Sequence, residues 1–198
     1  LLELIVNQLR EAGVREISLT THYKSERISK HFGDGRNFGV EIRYLQEETP
    51  LGTAGALSLL EKSADTLLVI NGDILTRVDF RAMLDFHQEH HGDMTVAVGT
   101  HEFRVPYGVI ESDGVAVTGI TEKPLVRHFI NAGIYLLAPD VLGYIPSSEG
   151  YDMTDLIARV LSEERTVLGF PMHEYWLDIG QLEDYRKALA EIEKSGDA

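Results

Sequence analysis

Apolar residues at positions 1, 2, 5, 6, 9 and 12 recur at the spacing of one helix face, and Gly13 follows where a left-handed residue commonly stops a helix. The opening therefore reads as a helix from Leu1 to Ala12, followed by a β-type run from Arg15 to Thr20. Lys24 to Phe32 resumes the helical pattern, Gly33-Asp34-Gly35 stops it, and Val40 to Leu45 alternates as a strand. Leu67 to Ile70 is a continuous apolar run, the form expected of a central parallel strand buried on both faces, and Phe80 to His91 reads as the next helix. Up to about residue 100 helix and strand alternate, which implies βαβ units with right-handed crossovers and a mostly parallel, Rossmann-like α/β sheet.

The pattern changes after Gly99. Tyr107 to Glu111, Val115 to Thr121 and Phe129 to Leu137 are short strands, and the turn Ser112-Asp113-Gly114 joins the first two as a hairpin. This stretch is expected to form a small antiparallel lobe laid over the sheet. Met153 to Ser162 returns a helix and Thr166 to Phe170 a strand. Leu182 to Lys194 closes the chain as an amphipathic helix, with Ser195 to Ala198 as a frayed tail. No repeat or long linker divides residues 1–198, so a single domain is expected.

Composition narrows the chemistry. With 198 residues, 43% of them hydrophobic, the chain can bury a full core. Its net charge of −14 argues against a nucleic-acid partner, because backbone phosphates are bound by clustered Lys and Arg. A single phosphate tail is still open to it, since a metal ion and a few placed cations can neutralise one locally. The absence of cysteine removes disulfides, thiolate metal sites and cysteine nucleophiles. No apolar run approaches the ~18 residues of a membrane span and no signal peptide is visible, so no membrane partner and a cytoplasmic setting are expected. The chain opens on Leu1 already inside an amphipathic pattern, without Met or a capping residue, and reads as a piece whose upstream part is missing.

Two aspartates stand in glycine-marked settings, Asp73 in Asn71-Gly72-Asp73 and Asp178 in Trp176-Leu177-Asp178-Ile179-Gly180. Each closes an apolar run, which places it at a strand end, where open α/β sheets hold their ligands. Mg²⁺ typically takes one or two protein carboxylates, the number this pair supplies. The alternative for Asn71-Gly72-Asp73 is a plain turn. Gln46 to Gly55 carries Pro50, Gly52 and Gly55 around Thr53, so its backbone amides are expected to be available to an anion or a base edge; otherwise it is a strand-to-helix loop capped by Thr53. Lys123, the only lysine between Lys62 and Lys187, is a compact charge suited to a phosphate, although an exposed strand-end lysine is the commoner reason for such a residue.

His87 and His91 have a spacing that can bind a transition metal, but their polar surroundings at a helix end favour a solvated, positively charged histidine. Trp176 is expected to pack rather than to stack on a ligand. No nucleophile elbow, Walker-type loop or dinucleotide fingerprint occurs.

In order and spacing, Pro50-Leu51-Gly52-Thr53-Ala54-Gly55-Ala56, Asn71-Gly72-Asp73, Glu122-Lys123-Pro124, Asn131-Ala132-Gly133-Ile134-Tyr135 and Trp176-Leu177-Asp178-Ile179-Gly180 resemble motifs of the sugar-nucleotide pyrophosphorylases. These nucleotidyltransferases join a nucleoside triphosphate to a sugar 1-phosphate. The wording is most similar to the mannose-1-phosphate guanylyltransferase branch and its heptose-phosphate relatives, which favours GTP. The resemblance implies the nucleotide-diphospho-sugar transferase fold, with residues 1–100 as the nucleotide-binding part, 101–180 as the sugar-phosphate part under a substrate-covering lobe, and 181–198 as the closing helix and tail. It implies Mg²⁺ held by Asp73 and Asp178, with Lys123 as the third catalytic residue. Gln46, Gly52 and Thr53 would face the base, with Asp73 beside the nucleotide. Gly108, Glu122, Lys123 and Asn131 would hold the sugar phosphate. Homo-oligomer formation is left open.

The family's first strand and its glycine-rich loop, with an arginine and a lysine for the triphosphate, have no counterpart here. They are expected before Leu1 in the full-length polypeptide, and the 198 residues alone are expected to turn over little. The rival readings are a non-catalytic nucleotide-sensing or regulatory module of the same fold, and a glycosyltransferase. The latter would normally carry a second aspartate where Leu75 stands.

Overall fold

The computed structural model describes residues 1–22, 25–61, 64–147, 149–180, 184–186 and 188. The helices are α1 (Leu2–Ala12), α2 (Ser25–Phe32), α3 (Gly52–Gly55), α4 (Phe80–Glu89) and α5 (Met153–Ser162). The strands are β1 (Glu16–Thr21), β2 (Glu41–Gln46), β3 (Leu67–Ile70), β4 (Ile74–Thr76), β5 (Met94–Arg104), β6 (Gly108–Asp113), β7 (Ala116–Glu122), β8 (Leu125–Leu137), β9 (Val167–Pro171) and β10 (Trp176–Asp178). Lys24, where the second helix was expected to start, is outside the described residues. So are the closing helix and tail, apart from Asp184 to Arg186 and Ala188, which are helical.

Local sequence explains the first half. α1 buries Ile5, Val6 and Leu9, the stripe its periodicity predicts. Gly13 at φ 103° lets Val14 N–H reach Leu9 O (2.9 Å) and Gly13 N–H reach Arg10 O (3.0 Å), which closes carbonyls that a helix end leaves open. Arg81 closes two more, donating to Glu11 O and Ala12 O at 2.8 Å each. Asp79 caps α4 by accepting the Arg81 and Ala82 N–H groups. β1 and β2 pair in parallel from Glu16↔Glu41 to Thr21↔Gln46, with α2 between them in the chain.

The four-stranded sheet runs β3-β8-β5-β9. β8 is antiparallel to both β3 and β5, and β9 is parallel to β5, so β3, β5 and β9 share one direction and β8 alone is reversed. Strand direction is mostly parallel, as the alternation of elements implied. The position of β3 is not as expected. All four of its residues are only half-buried, and it is an outer strand of its sheet, as β9 is on the other side. The strand buried on both faces is β8, where Ala132, Ile134, Tyr135, Leu136 and Leu137 are each at most 2% exposed. Ile134 and Leu136 pack with Val6, Phe80 and Met83; Tyr135 and Leu137 pack on the opposite face with Met153, Leu156 and Val160. Each large side chain so buried contributes about 1.5–3 kcal/mol.

β5 beyond Gly99 and β8 before Ala132 run out of the core, and the β6–β7 hairpin joins their far ends. β6 is exposed throughout, and so is β7 except at Gly119. On the other flank, β1 and β3 each have one edge without a hydrogen-bonded strand among the described residues. Both line a single cleft of about 1520 Å³, together with Leu2, Ile5, Val6 and Leu9 of α1.

Candidate active site

A short antiparallel ladder brings the two aspartates together. β10 pairs with β4 from Trp176↔Thr76 to Asp178↔Ile74, and Ile179 N–H donates to Asp73 O at 3.0 Å. Asp178 therefore lies beside Asp73, although more than half the chain separates them in sequence. Asp73 itself sits in a turn between β3 and β4, closed by Ile74 N–H to Asn71 O at 3.3 Å. The Asp178 carboxyl is raised above the ordinary carboxylate range, first by desolvation and then by the charges of Asp73 and Asp184.

That electrostatic conflict is the fit test for a cation. A carboxylate whose ionisation a neighbouring carboxylate makes costlier, as Asp73 does for Asp178, is relieved by a divalent ion, and hard Mg²⁺ needs no larger protein set. No group of three or more His, Asp or Glu able to hold a metal forms among the described residues.

Behind the aspartates, hydrogen bonds fix β8 to β10 and to the Asp73 turn. Trp176 Nε1 donates to Ala132 O at 2.8 Å, and Asn71 N–H donates to Gly133 O at 2.9 Å. Gly133, within β8, has φ 73°, a conformation that favours glycine, and a Cβ there would come within 2.9 Å of Asn71 Nδ2. Asn131 Oδ1 accepts Gly133 N–H at 3.0 Å, while Nδ2 donates to Tyr135 Oη at 2.8 Å. Burial pushes the Tyr135 phenol above its ordinary value, with the Asn131 bond opposing. One Asn131 N–H remains for a ligand.

The loop expected to offer free amides does not. Thr53 N–H donates to Asp152 Oδ1 (3.0 Å), and Ala54 and Gly55 N–H donate to Tyr151 O (2.9 and 2.8 Å). Thr53 Oγ1 donates to Asp152 Oδ1 (3.3 Å) and accepts Met153 N–H (2.8 Å), so it caps α5 rather than its own helix. Gly52, at φ 79°, lets this segment approach: a Cβ would stand 2.7 Å from Asp152 Oδ1. Gly52, Thr53 and Asp73 still line the same cleft. Gln46 is the exposed last residue of β2, and its neighbour Glu47 holds the loop by accepting Leu51 N–H at 3.0 Å.

The remaining predicted residues form a second group in the hairpin. Gly108 and Glu122 are direct cross-strand partners, and a Cβ on Gly108 would lie 3.0 Å from Glu122 Oε2. Lys123 follows at φ 45°, a left-handed conformation costly for a residue with a side chain. Its N–H donates to Tyr107 O at 3.2 Å, and its Nζ lies 3.7 Å from Glu122 Oε1. β8 from Leu125 to Asn131 stays in register with β5, so roughly 20 Å of extended strand lies between this group and Asn131. The structure thus assembles Asp73, Asp178 and Asn131 at the sheet, and Gly108, Glu122 and Lys123 in the hairpin.

His87 corrects the expectation of a solvated, charged helix end. It is 4% exposed, its Nδ1 is 2.8 Å from Oγ1 of buried Thr95, and desolvation lowers its pKa against an opposing effect of Asp93. Asp152, Tyr151 and Glu47 escaped sequence reasoning as site-forming residues, whereas Trp176 packs against β8 as expected. Only Gly52 and Gly55, pressed against Tyr151 and its neighbours, signal a close approach, and they do so for Tyr151 and Asp152 alone.

An α/β sheet of mostly common strand direction, with paired carboxylates where β4 meets β10, is a nucleotide-handling architecture. The nucleotidyl transferase family model matches residues 1–195, and the chain belongs to that family. It is 33% identical to a mannose-1-phosphate guanyltransferase of Kluyveromyces lactis over 91% of this chain and 52% of that protein. It is 31% identical to a UTP–glucose-1-phosphate uridylyltransferase of Synechocystis sp. over 95% of this chain and 54% of the relative. The solved structure of HddC from Yersinia pseudotuberculosis complexed with GMP-PN shares the fold with a TM-score of 0.73 at 22% identity, over 96% of this chain and 84% of that one. The chain spans about half the length of the curated relatives it matches.

Proposed function

We propose that this chain forms the catalytic part of an enzyme that joins GTP to a sugar 1-phosphate, giving a nucleotide-sugar and pyrophosphate. The observation that carries the reading is the β4–β10 ladder, which sets Asp178 against Asp73. Family membership and relatives named for sugar 1-phosphate transfer support it. GTP over UTP rests on the guanyltransferase relatives and the wording of the loop.

An oxygen of the sugar phosphate attacks the α-phosphorus in line, a new P–O bond forms, and the bond to the β-bridging oxygen breaks as pyrophosphate takes the electron pair. No protein nucleophile is needed, so catalysis is positioning and charge neutralisation. Asp73 and Asp178 would hold Mg²⁺, which when bound screens two anions that must meet. Gly52 and Thr53 shape the cleft wall on the base side, and Gln46 lies at the adjoining strand end. Asn131 offers its remaining N–H to a sugar hydroxyl. Gly108, Glu122 and Lys123 travel together on the hairpin, so engagement of the sugar phosphate depends on where that lobe stands over the sheet.

The test is Mg²⁺-dependent pyrophosphate release by the full-length polypeptide from GTP and mannose 1-phosphate, with other nucleotides and sugar phosphates as comparisons. Asp73→Asn and Asp178→Asn should each lower kcat at least about 100-fold, the scale of losing one electrostatic element of a phosphoryl-transfer site. Nucleotide binding without product from any pair would instead assign a nucleotide-sensing module.

A further inference from the structure

The loop Leu51 to Gly55 is held in shape from outside itself. α3 has only four residues, and its N-cap position, Leu51, makes no side-chain hydrogen bond. Its Thr53, Ala54 and Gly55 amides are taken by a segment about 99 positions away. Asp152 Oδ1 receives both Thr53 N–H and Thr53 Oγ1–H, and Tyr151 O receives Ala54 and Gly55 N–H. In return, Thr53 Oγ1 accepts Met153 N–H at 2.8 Å and Leu51 O accepts Tyr151 N–H at 2.7 Å. Asp155 Oδ2 holds Asp152 itself by accepting its N–H at 3.1 Å. Gly52 is pressed so closely on this segment that a Cβ would meet Asp152 Oδ1 at 2.7 Å and Tyr151 O at 2.8 Å.

From this arrangement we infer that Asp152 is a positioning residue for the nucleotide. Its carboxylate fixes the backbone of the loop wall that Gly52 and Thr53 present to the cleft, without itself lining that cleft. The inference rests on the nucleotide-binding reading above. A carboxylate accepting two donors from one residue fixes both the rotamer of Thr53 and the direction of its amide plane, which neither donor does alone. α5 joins the clamp because its first N–H is satisfied by Thr53. Movement of that helix start and movement of the loop are therefore one event, and the affinity for the base is tied to the packing of α5.

Asp152→Ala and Asp152→Asn in the full-length polypeptide separate this from a merely structural role. The Asn variant keeps an acceptor oxygen toward Thr53; the Ala variant has none. Asp152→Ala should weaken GTP binding about tenfold or more by calorimetry while leaving mannose 1-phosphate affinity within about twofold, and Asp152→Asn should restore GTP binding to near wild type. Without ligand, amide hydrogen exchange at Thr53, Ala54 and Gly55 should speed up at least about tenfold in Asp152→Ala, with the β8 core unchanged. Equal losses for both ligands, wild-type GTP affinity in Asp152→Ala, or undisturbed exchange at those amides would overturn the inference while leaving the nucleotidyltransferase reading in place. A wild-type polypeptide that binds no nucleotide removes both.

Discussion

Asp178 carries opposing demands on fold and function. Its raised pKa means that the folded state holds a proton more tightly than the unfolded chain does, so ionising it weakens the fold. The penalty is absent below the ordinary Asp value and fully present above the raised one. Without divalent metal, Asp178→Asn should therefore raise Tm at neutral pH, and the gain should shrink as pH falls toward the ordinary Asp range. Calorimetric scans between pH 7 and pH 4 are the check, and a constant Tm difference would contradict the assignment. The same substitution should lower kcat at least about 100-fold. The carboxylates were legible in sequence because each ends an apolar run beside glycine. Their adjacency was not, since it depends on a three-residue ladder between distant segments. Gly52 shows the converse. A glycine in a loop reads as room for a ligand, whereas here the room is filled by Tyr151 and Asp152.

Elements were legible where their punctuation is local. Gly13 and the Gly33-Asp34-Gly35 stop bound α1 and α2, and the βαβ order of β1 and β2 follows. β3 was expected at the centre of the sheet and the β8 run in the antiparallel lobe over it, because a short apolar run does not say whether its strand is central or outer; that is decided by pairing with residues far along the chain. α4 was recognised as a helix, but its contact with β5 through His87 and Thr95 was not. Burial lowers the His87 pKa, so the unfolded chain takes up this proton more readily than the folded one. The stabilisation is fully present above the ordinary histidine value near 6.5 and is lost as pH falls toward the lowered one. Urea unfolding at pH 7.5 and pH 5.5 should show a steeper loss for wild type than for His87→Gln, which keeps a polar group but carries no proton equilibrium. Parallel losses in the two proteins would place the acid sensitivity elsewhere.

Across the whole molecule, the open edges of β1 and β3 share one cleft with the apolar face of α1. Unpaired strand edges are templates for another strand, and apolar side chains beside them gain by being covered. A single strand hydrogen-bonded on both sides separates its neighbours by about 9.6 Å, twice the usual spacing, and it would cover Ile17, Leu19 and Val69 along with α1. Whether the cleft takes a strand between these two edges is testable in these terms. Fusing a designed Val- and Ile-rich strand of about six residues ahead of Leu1 should raise Tm by about 5–10 °C. That is the effect of a net 2–3 kcal/mol on a domain of this size. The same length interrupted by proline should give little or none of the gain, because proline removes a ladder donor. Amide exchange should slow along Ile17 to Thr20 and Leu67 to Ile70 in the first fusion and not in the second. Equal Tm values for the two fusions, or protection confined to β1, would mean that the cleft does not take a strand between its two edges.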